Sequence, residues 1–192
     1  MGDIDKEFLE LYKTFQPAIL RYLTRLVGEH EAEDLTQEVF IRIRQSLDSF
    51  RGDSSLSTWV YKIATNAALD KLRSPSFRKT VYDEPLAPDS PVAEQAPSAD
   101  RLLIRKEMND CIRNFIENLP DKYRVVVVLS ELEDKKNGEI AEILGITLDT
   151  VKIRLHRAKE KLKEELGSHC SFYQDRENGF SCDLKVSLKM TK

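Results

Sequence analysis

Ile140-Ala141-Glu142-Ile143-Leu144-Gly145-Ile146, followed directly by Thr147-Leu148-Asp149-Thr150-Val151-Lys152-Ile153-Arg154-Leu155-His156-Arg157, is the stretch that decides the fold. Two short apolar patterns of helical spacing flank one glycine, which permits the left-handed backbone of a tight turn. Ala141 is small where the second helix must approach the first closely. The stretch predicts a helix-turn-helix whose inward residues are Ile140, Leu144, Ile146, Val151 and Leu155.

The second helix of this motif is strongly basic. Residues 151–166 hold six basic and three acidic residues, whereas residues 108–150 hold five basic and nine acidic. Positive charge is therefore concentrated on the element whose shape suits a DNA major groove. The alternative is an ordinary solvated helix face, but the coincidence of charge with motif favours DNA. We expect base-edge contacts from Lys152, Ile153 and His156, and phosphate contacts from Arg157, Thr147 and Thr150.

His156 is also a candidate metal ligand or proton carrier. Among residues three or four positions away, only Glu160 offers a ligand group. A structural metal site needs several ligands, so the sequence favours a polar residue that faces the groove.

Composition limits the remaining possibilities. The 192 residues include 30 Lys and Arg, 33 Asp and Glu, seven glycines and three cysteines, with a net charge of −3. Few glycines disfavour a Gly-rich phosphate loop or a turn-dense β fold. No apolar run is long enough for a membrane span, and the N-terminus is acidic, so we expect a cytoplasmic protein. An odd number of cysteines argues against a disulfide framework.

Proline content divides the chain. Five of the seven prolines fall between Pro75 and Pro97, a run that suits neither a helix nor a sheet interior. We therefore predict an all-α fold of two small helical domains, at residues 1–73 and 104–166, with a flexible Pro-rich linker at 74–103 and a tail at 167–192. Val125-Val126-Val127-Val128 favours a strand by propensity, but its helical neighbours and the lack of a partner strand predict a helix.

The second of three amphipathic helices predicted before the linker has an acidic face. Residues 29–48 contain six acidic and two basic residues. The face suits a basic protein partner, although a solvated helix face is the alternative. Opposite the apolar Leu35, Val39 and Ile43, it carries Asp34, Gln37, Glu38 and Arg42.

Two segments carry a family resemblance. Glu33-Asp34-Leu35-Thr36-Gln37-Glu38-Val39-Phe40-Ile41-Arg42-Ile43, with Phe50 to Arg73, closely resembles region two of the extracytoplasmic-function (ECF) sigma factors of bacterial RNA polymerase. The helix-turn-helix resembles region four of the same group, and the two matches cover about 10–73 and 105–166. The resemblance implies a non-enzymatic factor that binds core RNA polymerase and promoter DNA. It also implies that the acidic face binds the clamp helices of the polymerase and that an anti-sigma factor regulates the protein.

The resemblance also implies a minus-ten site. Promoter opening requires a flipped base to be held by polar groups beside an aromatic wall. The family assigns this to the loop before the third helix and to Asn66, with Trp59 nearby; core packing is the alternative for Trp59. The full predicted set is Arg51, Ser54, Ser55, Trp59, Lys62, Asn66 and Arg73.

Two positions depart from the family pattern. Lys136-Asn137-Gly138 replaces the usual Ser or Thr cap before the first helix of the motif, which is expected to weaken that helix start. Ile153 stands where the family often has a small hydroxyl residue, so the minus-thirty-five preference is expected to differ.

The tail holds the remaining chemistry. Gly167 is predicted to end the last helix, and beyond it His169, Cys170 and Cys182 supply three soft ligands, with Asp183 or Cys111 as a fourth. These residues lack the paired spacing typical of zinc sites. We predict no cofactor and keep these three residues as candidates for zinc binding or a thiol switch, against a short hairpin or a disordered tail.

Two other functions are alternatives to the sigma-factor hypothesis. A stand-alone regulator would bind a palindrome as a dimer, but no obvious dimerisation helix is present. The second alternative is an enzyme or a metal-dependent sensor that uses the Cys and His residues of the tail. No set of a nucleophile and its base supports catalysis.

Overall fold

The computed structural model describes residues 3–75, 77, 112–175 and 179–184. Most of the predicted linker, Cys111 and the start of the helix predicted at residue 104 lie outside these ranges. Within them, the structure confirms the predicted all-α class, with two helical units and one added hairpin near the C-terminus.

Three helices form the first unit. These are α1 (Asp3–Val27), α2 (Glu29–Ser46) and α3 (Leu56–Arg73), with a short 3-10 turn at Leu47–Ser49. Gly28 separates α1 from α2 with a φ of 86°, which is left-handed backbone that favours glycine. Their predicted apolar stripes meet in one core, where the Tyr22 hydroxyl is 2.8 Å from the Thr65 hydroxyl. The largest fully buried side chains of this core are Ile19, Tyr22, Leu23, Leu26, Val39, Ile43 and Val60.

The valine run lies in a helix of the second unit, as predicted. After a helical segment at 112–117, α4 spans Asp121–Val127 and continues as a π-helix at Val128–Leu132. All four valines are buried. Four consecutive residues of a helix point in nearly all directions around its axis, so the helix is covered on every side along the valine run.

The helix-turn-helix has the predicted form. Helix α5 spans Asn137–Leu144 and ends at Gly145, whose φ of 62° is left-handed; α6 spans Leu148–His169. Thr147 caps α6 by accepting a hydrogen bond from the Thr150 amide at 3.2 Å. At the start of α5, Lys136 supplies no side-chain cap. The Glu139 carboxylate instead accepts a hydrogen bond from the Lys136 amide at 2.9 Å, which partly replaces the missing Ser or Thr cap.

The prediction that Gly167 ends the last helix is wrong, because α6 continues to His169. Two local hydrogen bonds satisfy the carbonyls there: the Ser168 hydroxyl donates to the Glu165 oxygen at 2.9 Å, and the Cys170 amide donates to the Leu166 oxygen. Strands β1 (Cys170–Asp175) and β2 (Gly179–Leu184) follow as an antiparallel hairpin. Of the alternatives for the tail, the structure therefore contains the hairpin.

The two units pack against each other. Helix α3 of the first unit lies against α5 of the second, and buried residues from both units belong to one apolar cluster. Members of this cluster include Ala64 and Ala68 on α3, and Ile140 and Ile143 on α5. The prolines predicted two separate pieces, but they carried no information about this packing.

A glycine exchange tests the turn. We expect Gly145→Ala to lower the free energy of unfolding by about 1–2 kcal/mol, because a β-carbon is strained in left-handed backbone. The added β-carbon makes no steric clash, because no heavy atom lies within 4 Å of it. Thermal unfolding followed by circular dichroism measures the change. Gly138→Ala is the matched control: it also has open space, its φ is not positive, and it should leave the midpoint unchanged or slightly raised. Equal effects of the two substitutions would contradict this account of the turn.

Candidate nucleic-acid interface

One face of α6 is buried and the other is open. Val151, Leu155 and Ala158 pack inward, while Ile153 is 52% exposed and the His156 side chain is 74% exposed. An apolar side chain left this open on a basic helix has no packing role within the described part of the chain. The predicted minus-thirty-five residues all lie on the accessible side or at the first turn: Thr147, Thr150, Lys152, Ile153, His156 and Arg157.

Ion pairs leave most of this face available. Lys152 lies 3.9 Å from Asp149, and His156 Nε2 lies 3.6 Å from Glu160. Both pairs are solvent-exposed, and such pairs contribute little to stability, so a phosphate or base can replace the carboxylate partner. Lys159 differs from these two residues, because its Nζ forms an ion pair at 2.9 Å with Glu131 Oε1, which belongs to the same unit. That ammonium group lowers the pKa of Glu131.

The first turn of α6 combines two hydroxyl groups with a helix N-terminus, a combination that suits an anion. The Thr147 and Thr150 hydroxyls are 2.8 Å apart, at the N-terminus of a 22-residue helix. Unpaired amides and the helix dipole give such a terminus partial positive charge. The phosphate contact of the two threonines stays a prediction.

A second accessible stripe runs along α3. Trp59, Lys62, Asn66 and Arg73 follow helical spacing on one side of the helix; Trp59 is half-buried, and the other three are exposed. At 1.5 Å per residue, the stripe from Trp59 to Arg73 is roughly 21 Å long. Arg73 therefore lies far from the loop end of the stripe, where Arg51, Ser54 and Ser55 are placed.

A pair of packed aromatic rings flanks the loop before α3. The Phe50 and Trp59 ring centroids are 5.0 Å apart, and Gly52 has a φ of 75°. The Ser55 hydroxyl caps α3 by accepting a hydrogen bond from the Thr58 amide at 3.0 Å, so part of its hydrogen-bonding capacity is already used. Trp59 packs on the edge of the core and still has an accessible face, so its role at the minus-ten site stays a prediction.

The acidic face of α2 is exposed, as predicted. Asp34, Gln37, Glu38 and Arg42 all point to solvent, and Arg42 pairs with Glu38 at 2.5 Å. Sequence reasoning missed Ile41, which is 58% exposed beside this pair. Its signal was present, because Ile41 breaks the helical pattern of Leu35, Val39 and Ile43.

Of the three candidate ligands of the tail, the structure describes the side chains of His169 and Cys170. Within the described residues, no group of three or more His, Cys, Asp or Glu residues is placed to hold a metal ion. The His169 ring contacts the Glu165 oxygen at 2.9 Å and the Phe115 ring at 5.7 Å. Cys170 is buried, and Cys182 pairs with Phe172 in the hairpin.

Comparison with known proteins identifies the family. The chain is 36% identical over 171 residues to "ECF RNA polymerase sigma factor SigW" of Bacillus subtilis (strain 168), covering 86% of this chain and 91% of that protein. This chain belongs to the ECF sigma factors. The "ECF RNA polymerase sigma-E factor" of Escherichia coli (strain K12) is 31% identical over 170 residues and covers 86% and 88% of the two chains.

Both candidate surfaces fall within matched family regions. Residues 11–77 of this sigma factor match "Sigma-70 region 2", which includes α2 and α3, and residues 109–162 match "Sigma-70, region 4", which includes the helix-turn-helix. A solved structure supports the fold: the sigma factor RpoE in complex with the anti-sigma factor NepR from Bartonella quintana has a TM-score of 0.63 at 23% identity, covering 84% of this chain and 98% of that one. Among the described helices of the sigma factor, none is long and apolar enough to cross a membrane.

Proposed function

We propose that this sigma factor binds bacterial core RNA polymerase and directs it to promoters by contacting two DNA elements, one with each unit. The observation that carries the proposal is the presence of two accessible surfaces on different units. The α6 face carries basic side chains on a helix-turn-helix, which suits duplex DNA. The α3 stripe sets polar groups beside a half-open tryptophan, which suits unpaired bases.

The α6 face is assigned to the minus-thirty-five element. Lys152, Ile153 and His156 project from the middle of the exposed face and are assigned to base edges. Arg157 flanks them, and the helix N-terminus at Thr147 and Thr150 supplies amides as well as hydroxyls. These three residues are assigned to phosphates, which set the register of the helix in the groove.

The α3 stripe is assigned to the minus-ten element. Asn66 lies two turns from Trp59, with Lys62 between them, so a flipped base can meet an amide and an aromatic face at one site. Arg51, Ser54 and Ser55 border this site from the loop, while Arg73 at the far end of the stripe is assigned to the DNA backbone.

The acidic face of α2 is assigned to core polymerase. Asp34, Gln37, Glu38 and Arg42 lie on a helix whose opposite side is buried in the core, so the face is rigidly presented. Acidic groups at the rim of an interface steer a basic partner and fix its orientation. Ile41 adds an apolar contact at the centre of that face.

An anti-sigma factor is the proposed regulator. The solved relative from Bartonella quintana was crystallised with one, and this chain shares its fold. We further infer that the protein acts in the cytoplasm and performs no covalent chemistry. The rival of a stand-alone dimeric regulator is disfavoured, because it leaves the α2 face and the α3 stripe without a role.

Run-off transcription with core polymerase tests the function. We expect the protein to stimulate transcription from a subset of promoter templates and to co-elute with core polymerase. Glu38→Lys should weaken core binding about tenfold or more, because it places like charges against a basic partner. Glu142→Lys makes the same exchange at an exposed position of the other unit, and it should leave binding to core without DNA unchanged. Failure of the wild-type protein both to co-elute and to stimulate would defeat the proposal.

Two basic residues of α6 test the division between base and phosphate contacts. Lys152→Ala should cost about 1–3 kcal/mol on the preferred sequence and relax specificity at one position. Arg157→Ala should weaken binding on all sequences and lower the salt slope by about one. Fluorescence anisotropy across a salt series, with holoenzyme and promoter variants, measures both. Lys163→Ala removes an equal charge farther along the exposed helix and serves as the control. If both variants lost affinity equally on every sequence, this division would be wrong.

The absence of a cofactor at the tail stays a prediction open to direct measurement. Metal analysis of protein purified under reducing conditions is expected to find less than one zinc per chain. The content should not change in a Cys170→Ser, Cys182→Ser double variant. One zinc per chain that is lost in the double variant would instead establish a metal site.

A further inference from the structure

Three positively charged side chains line one cavity, which has a volume of about 340 Å³. Arg73 comes from the last turn of α3, Lys122 from α4 and Arg154 from α6. We call these three residues the cation cluster. Helices that are distant in the sequence therefore bring positive charge to one place.

Arg154 differs from the basic residues on the exposed face of α6. It lies roughly 60° around the helix axis from the buried Val151 and roughly 160° from Lys152. Its side chain is half-buried, and the function proposed above gives it no role. Because removing a charge from water is costly without a partner, a half-buried guanidinium at a cavity indicates a negatively charged ligand.

The carboxylate among the lining residues is already neutralised. Asp121 Oδ1 accepts a hydrogen bond from Arg124 Nη2 at 2.8 Å. Within the described ranges, no carboxylate forms an ion pair with the cation cluster. Lys122 Nζ lies 5.1 Å from the centroid of the Tyr123 ring, a contact that leaves its full charge in place. The cavity therefore holds positive charge that no described group of the chain balances.

The rest of the cavity wall is apolar. It consists of Leu69, Pro120, Val125 and Leu144. Only 1% of Val125 is exposed, so this part of the wall belongs to the fixed core. Small-molecule sites combine a mostly apolar wall with a few polar groups and have volumes of about 300–1,000 Å³. The cavity fits a ligand that has one strongly negative end and one apolar end.

Phosphate groups suit the cation cluster best. An arginine guanidinium binds two phosphate oxygens at once, and a lysine ammonium adds a point charge. A phosphate group carries about −1.5 to −2 charge at neutral pH, whereas one carboxylate carries a single charge. A diphosphate can therefore balance three cations, which a carboxylate cannot do.

We propose that this cavity binds a nucleoside diphosphate, with the phosphates on the cation cluster and the nucleoside on the apolar wall. Binding itself does not rest on the function proposed above, because it depends only on residues of this chain. One consequence does rest on that function. Arg73 is assigned there to the DNA backbone, so a bound nucleotide competes with promoter DNA for this residue.

Fluorescence anisotropy tests the site on the full chain, without DNA or polymerase. The probes are the methylanthraniloyl derivatives of ADP and GDP, in buffer without magnesium. The wild-type protein should bind at least one of them saturably, and the unlabelled nucleotide should displace it. Arg154→Gln should weaken binding at least tenfold, as expected when a charged donor to a phosphate is lost. Lys122→Gln should weaken it severalfold.

Arg157→Gln is the matched control. It removes the same charge three residues farther along α6, at an exposed position that does not line the cavity, so nucleotide affinity should stay unchanged. Circular dichroism checks that each variant keeps its helix content. If Arg154→Gln fails to fold, Lys122→Gln replaces it, because Lys122 is exposed and its loss leaves the core intact.

Two competitors distinguish the possible sources of the phosphate. Inorganic pyrophosphate should displace the labelled nucleotide only at a concentration at least tenfold higher than the unlabelled nucleotide, because it leaves the apolar wall uncovered. Equal competition would overturn the assignment to a nucleotide. A single-stranded oligonucleotide that displaces the probe at a lower concentration than ADP and GDP would assign the cation cluster to a nucleic-acid backbone instead.

Two further results would overturn the proposal. One is the absence of saturable binding with both labelled nucleotides, and the other is equal affinity of the cavity variants and the control. These measurements need neither promoter nor transcription, so failure of the nucleotide site is distinguishable from failure of the sigma function.

Discussion

The buried stripe of α6 is the constraint on which the exposed basic surface of that helix depends. Val151, Leu155 and Ala158 recur at spacings of four and three residues and are fixed against the rest of the second unit. A helix is rigid about its axis, so anchoring one side determines the direction of every other side chain. Lys152, Ile153 and His156 point outward because their neighbours in the sequence are buried. The left-handed Gly145 then sets the angle at which this helix leaves α5.

The same logic accounts for the distribution of charge. The whole chain is nearly neutral, which by itself indicates no partner. Burial divides that sum into faces of opposite sign, with acidic groups outward on α2 and basic groups outward on α6. Each field acts over about one Debye length, roughly 8 Å at physiological salt, so each face acts mainly on a partner in contact with it. Net charge is therefore a poor guide to binding in a protein that has two different partners.

Local pattern predicted the helices, the turn and the exposed faces, because each follows from periodicity or from one residue's backbone preference. It failed at two places. Gly167 does not stop α6, because the helix continues to His169, where the Ser168 hydroxyl and the Cys170 amide bond the last carbonyl oxygens. The second failure is the segment before α5, where the deciding contacts are remote in sequence. Glu133, Asp134, Lys135 and Lys136 form a charged run typical of a solvated loop. Two of them are instead held by side chains 72 to 108 positions away, and no spacing rule encodes such a pairing.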